Sequence, residues 1–240
     1  MALAVVHVDG ASDPAHTGNA VTPSWTSVAN SLLVVVGATF NATGSPVNGD
    51  VTDNQGNTYT VGPGAYGGAG NEGLGLWYSN ATTRGAGHTV TFHPLSGAPS
   101  DTNISVVEIT GQDLTSAVYD TTTKAAGTDG VSPYNITAAA AISGNQIAVY
   151  GAVVVAFANS AWTAPGGYSN IFNQPDAANF LGSDAAYKIN ETGTPTVGAT
   201  RGEATTAGRE VFATFKEAVS AVVTTGNDPP IGLIGRGAGW

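Results

Sequence analysis

The stretch "SLLVVVGATF", Ser31–Phe40, is an almost unbroken apolar run rich in β-branched valine. Bounded by asparagines, it reads as a strand buried on both faces. It also has an echo, because "NSLLVVVGATF" (30–40) resembles "NQIAVYGAVVVAF" (145–157). Outward from the first copy, further strand signals fall at Leu3–Val8, Thr58–Val61, Leu74–Ser79, His88–His93 and Ile104–Thr110, each bounded by Gly, Asn, Asp or Pro. Within "HTVTFH", Val90 and Phe92 alternate with Thr89 and Thr91. In "ISVVEITG", Ile104, Val106, Glu108 and Thr110 share one face, and Val107 and Ile109 the other.

The echo extends beyond the first strand. "GNTYT" (56–60) stands where "GGYSN" (166–170) stands, and "GLGLWYSNATTRGAGHTVTF" (73–92) matches "LGSDAAYKINETGTPTVGAT" (181–200). "ISVVEITG" (104–111) corresponds to "REVFATFKEA" (209–218). Helical signals are weak, since the alanine-rich Ala138–Ala141 lies between Pro133 and Gly144-Asn145 with too little room for a stable helix. The expectation is an all-β, jelly-roll-like antiparallel sandwich over residues 1–218, built from two similar halves of about four strands, with an extended arm over 219–240. Two small independent domains are the alternative, although "TKAAGTDGVSP" between the halves is only loop-length.

Composition narrows the function classes. Charged residues make up 10% of the 240, against about 25% in an average soluble domain. The net charge is −10 with only 7 Lys and Arg. No basic cluster exists to neutralise phosphates, so nucleic-acid binding is not expected. An acidic surface is repelled by anionic lipid, and no apolar run reaches membrane-spanning length, so no membrane partner is expected either. The absence of cysteine removes disulfides and thiolate chemistry. The opening "MALAVVHVD" lacks the basic and apolar regions of a signal peptide. The five Asn-x-Ser/Thr sequons at Asn41, Asn80, Asn103, Asn135 and Asn190 are therefore read as composition.

The succession "ANSLLVVV", "VTDNQGNTYT", "LWYSNAT", "GHTVTF", "ISVVEITGQD", "GNQIAVYGAVV", "DAAYKI" and "VFATFK", spanning about residues 20–218, resembles a group of β-sandwich domains of roughly 200 residues. Such domains occur in bacterial extracellular proteins and in phage structural proteins. The resemblance implies surface display, adhesion or virion structure, and it brings no catalytic residues.

Residue constellations point the same way. "DVTDNQGNTY" (50–59) groups side-chain oxygens near a glycine, but its spacing is not that of a calcium loop. It reads as a hairpin turn in which Gly or Asn takes positive φ and Asp53 bonds local amides. His88 and His93 are five apart on one strand and face opposite sides, so no metal is expected. No G-x-S-x-G elbow occurs and no spacing links a serine, a histidine and an aspartate. Glu108 reads either as a buried acid or as a sheet-surface partner of Arg209, Arg84 or Lys188. "GAYGGAGNEGLGL" lacks the lysine and helix of a phosphate loop. No cofactor and no catalytic residue are expected.

These features lead to the expectation of a non-enzymatic bacteriophage virion structural protein, a capsid decoration (cement) or tail-associated protein made in the host cytoplasm. Its partners would be capsid or tail proteins and further copies of itself, with a trimer favoured. In the arm, Pro229-Pro230 stiffens the chain ahead of an apolar end. Ile231, Leu233, Ile234 and Trp240 would anchor on a neighbour, with Arg236 as a polar clamp. The alternative is a carbohydrate-binding or adhesive module whose platform would be Trp25, Trp162 and Tyr168.

Overall fold

The computed structural model describes residues 2–218 except 14–17, 41–48, 68–71, 81–82, 95–100, 114–118, 123, 130–131, 156–159, 175–180 and 203–207. Sixteen strands form, eight in each half. The first half holds β1 (Ala4–Ser12), β2 (Ala20–Val21), β3 (Leu32–Phe40), β4 (Asp50–Asp53), β5 (Thr60–Gly67), β6 (Glu72–Ser79), β7 (Val90–His93) and β8 (Asp101–Thr110). The second holds β9 (Ala125–Asp129), β10 (Tyr134–Thr137), β11 (Gln146–Val155), β12 (Trp162–Thr163), β13 (Ser169–Gln174), β14 (Leu181–Ile189), β15 (Thr196–Arg201) and β16 (Gly208–Lys216).

All pairings are antiparallel, and they follow one rule twice. In the first half the five-stranded sheet runs β1-β8-β3-β6-β5 and the three-stranded sheet β2-β7-β4. In the second half the orders are β13-β14-β11-β16-β9 and β10-β15-β12. The first strand of each half lies beside the last, the second beside the seventh and the third beside the sixth, as in a long hairpin rolled on itself. That is a jelly roll, repeated. The expected four strands per half are eight, five in the large sheet and three in a small sheet of its own.

The echo holds at residue level. Val34 on β3 faces Tyr78 on β6 and Val107 on β8; Val149 on β11 faces Tyr187 on β14 and Ala213 on β16. The two five-stranded sheets pack face to face over a central core that includes Leu32, Val34, Leu76, Ile109, Ile147, Val149 and Phe215. Each half also has a second core between its five- and three-stranded sheets. Leu33, Val35, Trp77, Val90 and Phe92 fill one; Tyr134, Tyr150, Ala152, Trp162 and Phe212 fill the other. This explains the opening run: β3 packs on both faces, and its first eight residues are all buried.

The halves meet through equivalent strands. Equivalent positions Val36 and Gly151 meet where a β-carbon on Gly151 would lie 2.7 Å from Val36. Arg209 crosses to Glu72 (3.0 Å, 4% and 2% exposed), and its counterpart Asn103 crosses to Ser183 (2.8 Å). The chemistry differs between the two crossings, and they end two positions apart in the shared register.

Candidate functional site

The densest polar chemistry lies beneath the three-stranded sheet of the first half. The segment carrying Trp25 and Ser27 runs beside that carrying Gly85 and His88. Trp25 and His88 exchange backbone bonds of 3.0 and 2.9 Å, and the Ser27 N–H donates to the Gly85 carbonyl at 3.1 Å. Across the sheet, β4 pairs with β7 so that Asp53 faces Val90, two residues from His88. Rolling the sheet thereby converges three residues scattered in sequence. Ser27 Oγ lies 2.7 Å from His88 Nδ1, and His88 Nε2 lies 3.1 Å from Asp53 Oδ2.

Sequence reasoning missed this Ser–His–Asp row, since no linear spacing encodes it. Both the His88 and Asp53 side chains are fully buried, and Ser27 is 6% exposed. Asp53 does more than face His88. Its Oδ1 accepts the N–H groups of Gln55 and Asn57, and its Oδ2 accepts Asn57 Nδ2 (2.7 Å) and the Tyr59 hydroxyl (3.0 Å). Burial pushes its pKa up, but the bonds from His88, Asn57 and Tyr59 outweigh this and hold it well below the usual carboxylate range. The Asp53–Asn57 turn has the expected positive φ at Gly56 (77°) and the expected bonds from local amides to Asp53. It is not a hairpin, however: β4 pairs with β7 in the small sheet and β5 with β6 in the large one, so the segment crosses between sheets.

A second row runs alongside. Trp25 is sandwiched between His7 and His88, with ring centroids 4.7 Å away on both sides. Its indole N–H donates to Glu108 Oε2 at 3.0 Å. Glu108 Oε1 accepts the Val28 N–H (2.7 Å) and the Ser31 hydroxyl (2.6 Å), and Arg84 Nε donates to Ser31 Oγ at 3.2 Å. Glu108 is fully buried, which corrects the sheet-surface reading. Of its three expected partners, Arg84 alone approaches, through Ser31; Arg209 takes Glu72 and Lys188 takes Glu191. Burial lowers the Arg84 pKa, opposed by the nearby Tyr59, Glu108 and Asp53.

Chemically, a serine beside an imidazole that is held by a carboxylate can serve as a nucleophile. That role requires an open face and free donors for an oxyanion. Here Trp25 covers the imidazole, the Val28 N–H is committed to Glu108, and the Gly85 N–H is committed to Ser27 Oγ at 3.1 Å. In this conformation the network's visible work is to tie β4, β7, β8 and the Trp25 segment together. Among the described residues no group of three or more His, Asp or Glu is placed to hold a metal ion. His93 turns away from His88, toward Thr52 and Asn19.

The second half departs from the first at one buried place. Across its five-stranded sheet Asp184, Ala152 and Glu210 form a lateral row, where the first half has Gly75, Gly37 and Ile104. In the first half the Trp77 ring covers Gly75, 2.6 Å from where a β-carbon would be. Asp184 is 1% exposed, neither carboxylate oxygen has a hydrogen-bond partner among the described residues, and burial pushes its pKa up to about 7.

The three aromatic residues expected as a sugar platform are not assembled. Trp25 belongs to the first half, whereas Trp162 and Tyr168 pack at the core of the second. Both faces of Trp25 are covered, and Trp162 is 5% exposed between Tyr134 and Arg201. Tyr168 bonds Glu191 at 2.7 Å with Lys188 over its ring. The expected anchors Ile231, Leu233, Ile234, Arg236 and Trp240 lie outside the described residues. Comparison with protein-family models, with curated proteins and with solved structures gives no match, so the resemblance over residues 20–218 rests on the quoted residues alone.

Proposed function

We propose that this chain is a non-enzymatic structural protein of a bacteriophage virion, a capsid decoration or tail-associated protein that assembles with capsid or tail proteins and with its own copies. The observation that carries the reading is where the few charges go. The chain has 7 Lys and Arg and 17 Asp and Glu, and eleven of these are buried, among them Glu72, Glu108, Asp184, Arg201, Arg209 and Glu210. The surface left is poorer in charge than the composition implies, and such a surface costs little to desolvate against a neighbour. Jelly rolls serve both viral capsids and lectins, so the fold does not choose between virion and adhesive readings. The covered faces of Trp25 and Trp162 favour the first. Quantitative mass spectrometry of purified particles tests the reading: stoichiometric copies support it, and absence from particles refutes it. Removal of residues 227–240 should leave the double sandwich folded and abolish incorporation.

A further inference from the structure

β1 is the longest outer sheet edge among the described residues. It is nine residues long, pairs with β8 on one side and has no strand on the other. Val6 and Val8 are 45% and 37% exposed, two of only five large apolar side chains so exposed. β1 carries one register shift, between Val5 and His7; of the other outer edges β5 carries Pro63 as well as a register shift, β13 is six residues long with a register shift, and β9 is five residues long. The single charge on β1, Asp9, is turned onto its own neighbours, accepting the Gly10 N–H at 2.8 Å with His7 Nε2 at 3.5 Å. A long edge whose one charge is turned onto its own neighbours, and which exposes two valines, is a template for another strand.

The chain itself offers one. The described residues end at Ala218, whose N–H donates to the Gly111 carbonyl at 2.8 Å. Gly111 has φ 83° and no β-carbon, which leaves room for the Ala2 carbonyl to pack onto it. Ala218 therefore leaves the fold beside the start of β1. Its heading also fits: residues 216–218 run antiparallel to 111–113, as β1 runs antiparallel to β8. The residues that follow, Val219-Ser220-Ala221-Val222-Val223-Thr224-Thr225, are β-branched and uncharged before Gly226-Asn227. Seven extended residues reach about 23 Å, enough to cover β1 past Val8.

We propose that residues 219–225 add to the outer edge of β1 of the same chain as a parallel sixth strand, covering Val6 and Val8. This rests on reading 219–240 as an arm and assigns its root; residues 227–240 are left free to engage a neighbour. The same chain is favoured over a second copy because the short path from Ala218 makes pairing intramolecular.

Hydrogen exchange over residues 4–12 tests this in the full chain, in a chain ending at 226, in a chain ending at 218, and in Val222→Pro. The outward amides of β1 should exchange at least about tenfold more slowly in the first two than in the last two. Equal exchange in all four overturns the proposal, and so does protection lost on removing 227–240 alone. The protein has no cysteine, so Val8→Cys combined with Val222→Cys or Val223→Cys gives a clean cross-link. A link within one chain is expected, and links only between chains overturn the assignment. Incorporation of the chain ending at 226 into particles is a separate readout. It would refute the virion role of the arm while leaving the β1 result standing.

Discussion

Replacing Asp184 with Asn removes a carboxyl whose ionised form burial disfavours. The carboxyl is 1% exposed, has no hydrogen-bond donor among the described residues, and faces the second core from β14, with Glu210 on β16 and Arg201 on β15 as the charged groups on the same side. Burial raises its pKa from 3.8 to about 7. Between those values the folded chain holds a proton that the unfolded chain has released, so stability falls as pH rises through this window and levels off above it. Some three pKa units correspond to about 4 kcal/mol. Wild type and Asp184→Asn should therefore be nearly equal in stability at pH 4. By pH 8 the variant should be more stable by about 4 kcal/mol, on the order of 10 °C in Tm for a chain of this size. Urea midpoints of both proteins across pH 4–8.5 measure the difference directly, and the titrations common to both cancel. A difference that does not change with pH, or a variant less stable at pH 8, would refute the reasoning.

Asp53 should behave with the opposite sign. Its depressed pKa contributes stability above about pH 3.8 that is lost as pH falls further. Asp53→Ala strands the donors of Gln55, Asn57, Tyr59 and His88 and should cost at least about 2 kcal/mol at pH 7, read by denaturant midpoint. Arg209→Met alone should cost about 3–5 kcal/mol by leaving Glu72 buried and unpaired, while Arg209→Met with Glu72→Leu should recover most of that loss; a non-additive double-mutant cycle is the check. Residues 1–125 expressed alone should fold around the Trp77–Phe92 core yet self-associate through the uncovered Leu32, Val34, Leu76 and Ile109 face, and a cooperative, strictly monomeric fragment in sedimentation would contradict the shared central core.

What the sequence showed and what it hid divide along a physical line. The strands of the two large sheets are long, and β3 and β11 are apolar on both faces because each lies between two cores. Their runs are conspicuous, and the echo matched β3 with β11 and β6 with β14, whose observed register puts Tyr78 and Tyr187 in equivalent places. The small sheets were hidden because β2 and β12 are two residues each, too short to show any period. Those sheets hold six of the sixteen described strands, of which β7 alone showed its alternation. The polar row was hidden with them, since Ser27, Asp53 and His88 meet only once β4 and β7 pair. The echo also conceals how the halves diverge. A repeat predicts equal interiors, yet Trp77 over Gly75 in one half gives way to Asp184 beside Ala152 in the other. Equivalent backbones tolerate either, because the space is set by the sheets and only its filling by side chains. A carboxyl kept where an indole would serve lowers stability at neutral pH, which makes that position of the second half, rather than the tightly bonded Ser–His–Asp row, the place where the fold holds chemistry it does not need in order to stand.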